Sequence, residues 1–252
     1  MARQKGVLKF KGAMGGISFY RTQDGHFART QGGVDGSRIA NDPAFQRTRE
    51  NGAEFGRAGK AGKLLRSAFR AALLNTADKR VVGRLTRDML RVVKSDNVNE
   101  RGKRVASAGN LLLLKNFDFN INAKLGTTFF APFVPAVDRV AGSLAVSVEP
   151  FVPLNMIVAP SGTSHFRLTS GGAEMDFDNE LFVNAYSDSG ILPYNSLETA
   201  LIELNNGVTA DSPLPLLLVF GIEFFQEVNG EMYSLKNGAF NALSLVEVVP
   251  SP

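Results

Sequence analysis

The sequence predicts an α+β protein in which an N-terminal β-hairpin segment and a helical hairpin precede an antiparallel, immunoglobulin-like β-sandwich. Three observations support this fold class. Residues 1–41 alternate apolar and polar side chains between glycine-rich turns, which is typical of short strands. Residues 42–104 repeat apolar side chains every three or four positions, which is typical of helices. Residues 105–252 contain short β-rich runs, such as NMIVA from residue 155 and LPLLLVFGIEFFQEV from residue 214, and turn signals such as Asn229-Gly230 between them, which favours a sandwich.

The N-terminal segment, residues 1–41, is expected to form short strands in the stretches GVLKFKG, GGISFYRT and GHFART. The sequence Gln23-Asp24-Gly25, between the second and third stretches, is typical of a hairpin turn. Three short strands without a core of their own are marginally stable in water. We therefore expect this segment to pack against another body, either its own subunit or a neighbour.

Two helices are expected in residues 42–104. The first would run from residue 43 to residue 74, because Asp42 followed by proline is a favourable helix start. Its apolar stripe is Phe55, Ala58, Gly62, Leu65, Phe69 and Ala72. The second would cover residues 78–94, with a helical hairpin around residues 75–77. The polar stretch 95–110 is the expected boundary to the sandwich.

Glycine and lysine alternate in the stretch EFGRAGKAGKLLRSAFR, as they do in phosphate-binding loops. Such a loop requires a glycine, four residues, Gly-Lys and then Ser or Thr. Here Ala61 and Leu64 follow the two lysines, and no strand precedes the stretch, so the spacing favours a helix. Each glycine inside a helix costs about 1 kcal/mol relative to alanine. We therefore expect a neighbouring helix, another subunit or a nucleic-acid backbone to lie close against the glycine-bearing face formed by Gly52, Gly56 and Gly59.

The net charge of +4 hides a strong asymmetry along the chain. Residues 1–104 contain 23 Lys and Arg against 9 Asp and Glu, whereas residues 105–252 contain 5 against 15. Such asymmetry indicates an interaction function, because a basic half can bind a polyanion or the acidic half of another copy. The candidate basic contacts are Arg21, Arg29, Arg47, Arg49, Arg57, Lys60, Lys63 and Arg70.

Four carboxylates stand two residues apart at Glu174, Asp176, Asp178 and Glu180. On a strand they would share one face, which could form an acidic partner surface. A calcium site is the alternative, but the turn glycine and distal glutamate of the calcium-loop pattern are missing. The acidic surface is therefore the favoured interpretation.

Catalysis is not expected from this sequence. There is no cysteine, only His26 and His165 are available as imidazoles, and neither a G-x-S-x-G nor an H-E-x-x-H motif occurs. We expect no catalytic residue, no cofactor and no metal site. The charged amino terminus and the lack of a run of about 18 apolar residues predict cytoplasmic synthesis without a signal peptide or membrane insertion. The chain could still end in a released or surface particle.

The stretches KGAMGGISFYRTQDGHFARTQGG and DPAFQRTRENGAEFGRAGKAGKLLR resemble uncharacterised protein families of Bacteroidota. Those families combine a glycine-rich N-terminal hairpin, an arginine-rich helix and a C-terminal β-sandwich. The resemblance covers mainly residues 5–75. It implies a bacterial origin and the same two-part architecture, and it brings no known activity.

Two functions remain open from the sequence. The first is a structural protein that assembles head to tail, with the basic half of one copy meeting the acidic domain of the next. A filament, a tube or a phage-like or appendage-like particle would result. The alternative is a nucleic-acid-binding protein that uses its Arg/Lys-rich helices.

Overall fold

The computed structural model describes residues 1–30, 32–235 and 238–252, and it divides into two compact units, residues 1–49 and 50–252. Both helices and antiparallel sheets are present, which confirms the predicted α+β class. We call residues 1–49 the N-terminal unit and residues 50–252 the main unit.

The N-terminal unit contains a four-stranded antiparallel sheet in the order β1-β4-β3-β2. Its strands are β1 (Ala2–Arg3), β2 (Gly12–Met14), β3 (Ile17–Thr22) and β4 (Gly25–Thr30). Thr22 pairs with Gly25, so the turn lies where the sequence predicted it, and Gly25 has a φ of 124°, which favours glycine. The GVLKFKG stretch differs from expectation. The Gln4 side chain bonds both the N–H and the C=O of Phe10, which holds residues 4–10 in a loop.

Two short helical turns follow the sheet and lead into the long helix. They are α1 (Gly36–Asn41) and a 3₁₀ turn (Pro43–Phe45), and α2 (Gln46–Ala68) continues from them. The Asp42 side chain accepts a hydrogen bond from Ala44 N at 2.9 Å, so Asp42 caps this start as the sequence predicted.

The helices of the main unit are shorter than predicted. After α2 the chain bends at Phe69 and continues as α3 (Arg70–Leu73), and α4 (Val81–Lys94) follows. Helix α4 begins three residues late because the Asp78 side chain accepts hydrogen bonds from Arg80 N and Ile121 N, which holds a turn there. On the predicted stripe Ala58, Gly62, Leu65, Phe69 and Ala72 are buried, whereas Phe55 is exposed.

The strands of the main unit form two sheets. They are β5 (Phe133–Asp138), β6 (Ser143–Val148), β7 (His165–Asp176), β8 (Leu181–Asp188), β9 (Leu192–Pro193), β10 (Ile202–Gly207), β11 (Leu216–Val228), β12 (Glu231–Ser234) and β13 (Ala242–Val249). The smaller sheet has the order β10-β6-β5, and the larger has the order β12-β11-β7-β8, with β13 paired to β11 and β9 to β7. All these pairings are antiparallel.

The larger sheet is buried on both faces, and this explains the long apolar run in β11. Leu217 and Val219 point to the core shared with α2 and α4. Leu218 and Phe220 point to the core shared with the smaller sheet. Because successive side chains of a strand alternate between faces, a strand covered on both sides reads as a continuous apolar run. The helices, the larger sheet and the smaller sheet thus form three layers.

The segment 95–110, expected to be a boundary, is packed into the main unit. The Asp96 side chain is fully buried and accepts hydrogen bonds from Val98 N, Asn99 N, Asn99 Nδ2 and Val105 N. The chain divides instead between residues 49 and 50, within α2. The helices of residues 42–104 share a core with the larger sheet and have no separate one.

In two further stretches of the main unit, residues within the stretch determine the local backbone structure. Asn229 and Gly230 have φ values of 54° and 82° and form the expected two-residue turn between β11 and β12. The stretch NMIVA, expected as a strand from residue 155, lies partly in a short helix, α6 (Pro153–Met156), which follows another, α5 (Leu125–Thr128). Pro153 stands at the first position of α6, where proline favours a helical start.

Candidate interaction surfaces

The N-terminal unit exposes its apolar side chains. Among its described residues, 1–30 and 32–49, none is buried. Val7 is 100% exposed, Leu8 76% and Met14 66%. A small aromatic contact exists, since the rings of Phe10 and Phe19 lie 5.6 Å apart, but Phe10 is still half exposed. The described residues of the unit therefore leave several of its apolar side chains, in the loop 4–10 and on β2, largely uncovered.

The candidate arginines of the N-terminal unit have different surroundings. Arg21 and Arg29 are exposed on neighbouring strands, and the Arg29 guanidinium lies 5.6 Å from the Tyr20 ring centre. Arg47 is exposed on the first turn of α2. Arg49 donates hydrogen bonds to the carbonyl oxygens of Ile39 and Asp42, so it fixes the backbone that precedes α2.

The candidate basic residues of the main unit fall into two groups. Arg57 donates hydrogen bonds to the carbonyls of Gly102 and Arg104, and Lys60 Nζ lies 3.1 Å from Glu180 Oε1. Lys63 and Arg70 instead line an open groove together with Arg66. This groove has a volume of about 450 Å³ and runs along α2, α3 and the start of α4.

The glycine-bearing face of α2 is open. A Cβ atom placed on Gly52, Gly56 or Gly59 would meet no described atom within 4 Å. The close helix contact is made by Gly62, where a Cβ would lie 3.6 Å from Leu85 Cγ of α4. The role of the first three glycines as a contact surface for a neighbour stays a prediction.

The four carboxylates at 174–180 do not share one strand face, because β7 ends at Asp176. Glu174 is buried and accepts a hydrogen bond from Thr209 N at 3.3 Å. Asp176 accepts hydrogen bonds from Asn179 Nδ2, Asn179 N and Asp178 N. The side-chain amide of Asn179, followed by its backbone N–H, holds the pKa of Asp176 below the ordinary value. These two carboxylates thus fix the end of the strand and the turn after it.

The last two of these carboxylates contact the helical layer of the same subunit. Asp178 accepts a hydrogen bond from Ser107 Oγ at 2.7 Å, and Glu180 pairs with Lys60. Each of the two carboxylates thus already has a contact within its own chain. Their role as a surface for another subunit stays a prediction.

A second acidic surface, which sequence reasoning missed, surrounds a groove of about 500 Å³ in the main unit. Asp188, Glu198 and Glu203 are exposed around it. The sequence did carry a signal: in IELNNG, Ile202 and Leu204 alternate with Glu203, so an outward-facing carboxylate follows from the strand period. The three residues were missed as a group because they lie on different elements: Asp188 on β8, Glu198 in the loop before β10, and Glu203 on β10.

The two histidines both lie on strands. His26 lies on β4, and His165 begins β7 with its Nδ1 2.9 Å from Ser164 Oγ. Within residues 1–30, 32–235 and 238–252, no group of three or more His, Asp or Glu side chains is placed to hold a metal ion. In the same ranges, no helix combines the length and the apolar character that crossing a bilayer requires.

Comparisons with known proteins identify no relative of this chain. No protein-family model matches the chain, and comparisons with curated proteins and with solved structures also give no match. The case for a function therefore depends on the surfaces described above.

Proposed function

We propose that this protein is a structural subunit that assembles head to tail, with the basic N-terminal unit of one copy docking on the acidic part, residues 105–252, of the next. One observation carries the proposal: the N-terminal unit is a sheet of four strands in which no described residue is buried. A small sheet needs a covered apolar face to be stable. Its apolar side chains therefore favour a partner that covers them.

The charges of the two parts favour a second copy as that partner. Residues 1–49 contain nine Lys and Arg against three Asp and Glu, whereas residues 105–252 contain 5 against 15. Surfaces of opposite sign attract and suppress wrong partners. Because the two contact surfaces differ, the contact is heterologous, and a heterologous contact that does not close gives an open filament or tube. Phage-like and appendage-like particles are assemblies of this kind.

The acceptor in this proposal is the two-sheet part of the main unit. We infer an immunoglobulin-like sandwich for this part, supported by its antiparallel pairing and by the apolar core between its two sheets. Asp178 and Glu180 already contact Ser107 and Lys60 of their own subunit. Carboxylates of the two-sheet part that make no such contact are therefore better acceptors for the N-terminal unit of another copy.

Sedimentation velocity of the full chain over a range of protein concentrations tests the proposal. We expect the wild type to form species much larger than a monomer without nucleic acid, and the variant Leu8→Ser with Phe10→Ser to remain monomeric. Val140→Ser is the matched control, because Val140 is 70% exposed but lies in a turn of the main unit. A monomeric wild type at every concentration contradicts the proposal, and so does a double variant that assembles as the wild type does.

Nucleic-acid binding is the second candidate, and the groove lined by Lys63, Arg66 and Arg70 favours it. Three basic side chains on one open groove could neutralise phosphates, and such binding weakens steeply with salt. Fluorescence anisotropy with a labelled DNA oligonucleotide at several salt concentrations measures this. If this candidate is right, Lys63→Glu with Arg70→Glu weakens binding for all sequences. Binding that is absent, or unchanged in this variant, rules out the groove as the contact.

A further inference from the structure

The most distinctive unassigned feature of the main unit is the groove of about 500 Å³ formed by the end of β8, by β9, by β10 and by the loop 195–201. Its volume is in the range of pockets that hold a ligand or a few side chains. Leu197 is 70% exposed and Leu201 50% exposed along it, although both are large apolar residues. The groove thus offers an apolar surface with carboxylates around it.

The loop that forms the groove is held in place by hydrogen bonds. Thr199 N donates to Phe151 O at 2.9 Å, and Phe151 N donates to Thr199 Oγ1 at 3.1 Å. Leu197 N donates to Asn195 Oδ1, and Leu154 N donates to Asn195 O. Because the backbone is tied on both sides of Leu197, the groove exists before any partner arrives, which lowers the ordering cost of binding.

The charges around the groove have one sign. Asp188, Glu198 and Glu203 contribute three carboxylates, and none of the lining side chains is a lysine or an arginine. Asp188 Oδ1 accepts a hydrogen bond from Gly190 N at 2.8 Å. Within the described residues, Glu198 and Glu203 make no ion pair or side-chain hydrogen bond. An occupant with positive charges beside apolar side chains fits this arrangement.

Residues 4–11 of the chain, QKGVLKFK, have the complementary pattern. Val7, Leu8 and Phe10 are exposed apolar residues, and Lys5 and Lys11 flank them. A nucleic acid would be repelled by the three carboxylates, and a small hydrated cation would leave the leucines uncovered. A basic, apolar peptide segment satisfies both features.

We infer that this groove is the acceptor site for residues 4–11 of a second copy of the chain, with Lys5 and Lys11 facing Glu198 and Glu203. This inference rests on the proposed self-assembly and assigns its acceptor. The apolar side chains would cover Leu197 and Leu201, and the charges would fix direction and register.

Reciprocal charge reversal in the full chain tests the assignment. The arm variant is Lys5→Glu with Lys11→Glu, and the groove variant is Glu198→Lys with Glu203→Lys. Each alone places like charges together, and we expect the critical concentration for assembly to rise by about tenfold or more. Mixing the two variants restores opposite charges at every contact, so the equimolar mixture should assemble near the wild-type concentration. Sedimentation velocity measures all three samples.

The matched control is Glu227→Lys with Glu231→Lys, which changes the net charge equally in the exposed hairpin of β11 and β12. We expect this control to assemble as the wild type does. Loss of assembly in the control, assembly of the groove variant at the wild-type concentration, or a mixture that is not rescued overturns the assignment. If the groove variant with two lysines is unfolded, the milder variant Glu198→Gln with Glu203→Gln, whose melting temperature should be unchanged, replaces it in the test. A wild type that never assembles refutes the proposed function itself.

Discussion

Lys60 Nζ of α2 lies 3.1 Å from Glu180 Oε1 in the turn after β7, so residues from the basic and the acidic part of the chain pair inside one subunit. The two side chains are 71% and 58% exposed. Exposed pairs of this kind contribute little to stability. The attraction between the two parts is therefore partly satisfied within the subunit, and in the proposed assembly other carboxylates, such as Glu198 and Glu203, are left for contacts between subunits.

A double-mutant cycle of Lys60→Ala and Glu180→Ala should give a coupling energy below about 1 kcal/mol. Urea denaturation of the four proteins measures it. Because the pair lies within one subunit, assembly of the Lys60→Ala chain should remain as in the wild type. A coupling energy several times larger would contradict a weak, exposed pair, and a loss of assembly would mean that this pair contributes to the contact between subunits.

Asp96 should stabilise the main unit in a pH-dependent way. Burial raises the pKa of Asp96, but the hydrogen bonds from Asn99, Val105 and Val98 outweigh this and lower it to about 2. Because the folded-state pKa is below that of the unfolded chain, the contribution is fully present above about pH 4 and is lost as the pH falls to about 2. It should amount to roughly 2 kcal/mol.

The measurement for Asp96 is the free energy of unfolding of Asp96→Asn and wild type between pH 7 and pH 2. Near neutral pH the variant should be less stable by roughly 2 kcal/mol, because an amide cannot accept all of these hydrogen bonds. The difference should narrow as the pH falls. Asp211→Asn is the control, since Asp211 is exposed, and it should change little. If the free energies of unfolding of variant and wild type differed equally at all pH values, the lowered pKa of Asp96 would be contradicted.

Gly56→Ala should stabilise the main unit by up to about 1 kcal/mol, because α2 gains helix propensity and the new Cβ meets no described atom within 4 Å. Gly109→Ala is the contrast. Its Cβ would lie 2.3 Å from Val92 O, so this change should destabilise the fold. Thermal unfolding of dilute protein measures both. A destabilising Gly56→Ala would show that the face is covered, and weaker assembly with higher stability would indicate a neighbouring subunit there.

Gly172→Val should destabilise the main unit by about 1–3 kcal/mol through overpacking. A Cβ at Gly172 would lie 2.9 Å from Asn206 Cβ and 3.2 Å from Leu144 Cβ, between the two sheets. Asn206 is buried there and donates hydrogen bonds to Leu144 O and Ser170 Oγ. Gly207→Val is the control, because a Cβ at Gly207 meets no described atom within 4 Å. Equal losses in the two variants would refute the close approach of the sheets.

Local signals in the sequence predicted structural features correctly where neighbouring residues determine them. The cap at Asp42 and the turn at Asn229-Gly230 depend on nearby backbone atoms, and both occur where expected. The apolar run of β11 predicted a strand, but only packing could reveal that both of its faces are covered.

Features that depend on one particular side chain, rather than on a repeating pattern, could not be predicted. The loop at residues 4–10 is held by Gln4, and the stretch 95–110 is packed because Asp96 gathers its backbone N–H groups. The acidic residues of the groove come from separate elements, so the local alternation that directs Glu203 outward did not indicate that three carboxylates surround one groove. The carboxylates at 174–180 did form a local pattern, but a strand end and contacts with the helical layer separated them.

The most direct test of the self-assembly account is electron microscopy of the purified, nuclease-treated full chain at low salt and at about 1 M salt. At 1 M salt the screening length falls to about 3 Å, so contacts between charged surfaces are weakened. We expect long particles of uniform width at low salt and shorter or fewer particles at high salt. Isolated monomers under both conditions, at all protein concentrations, would contradict it.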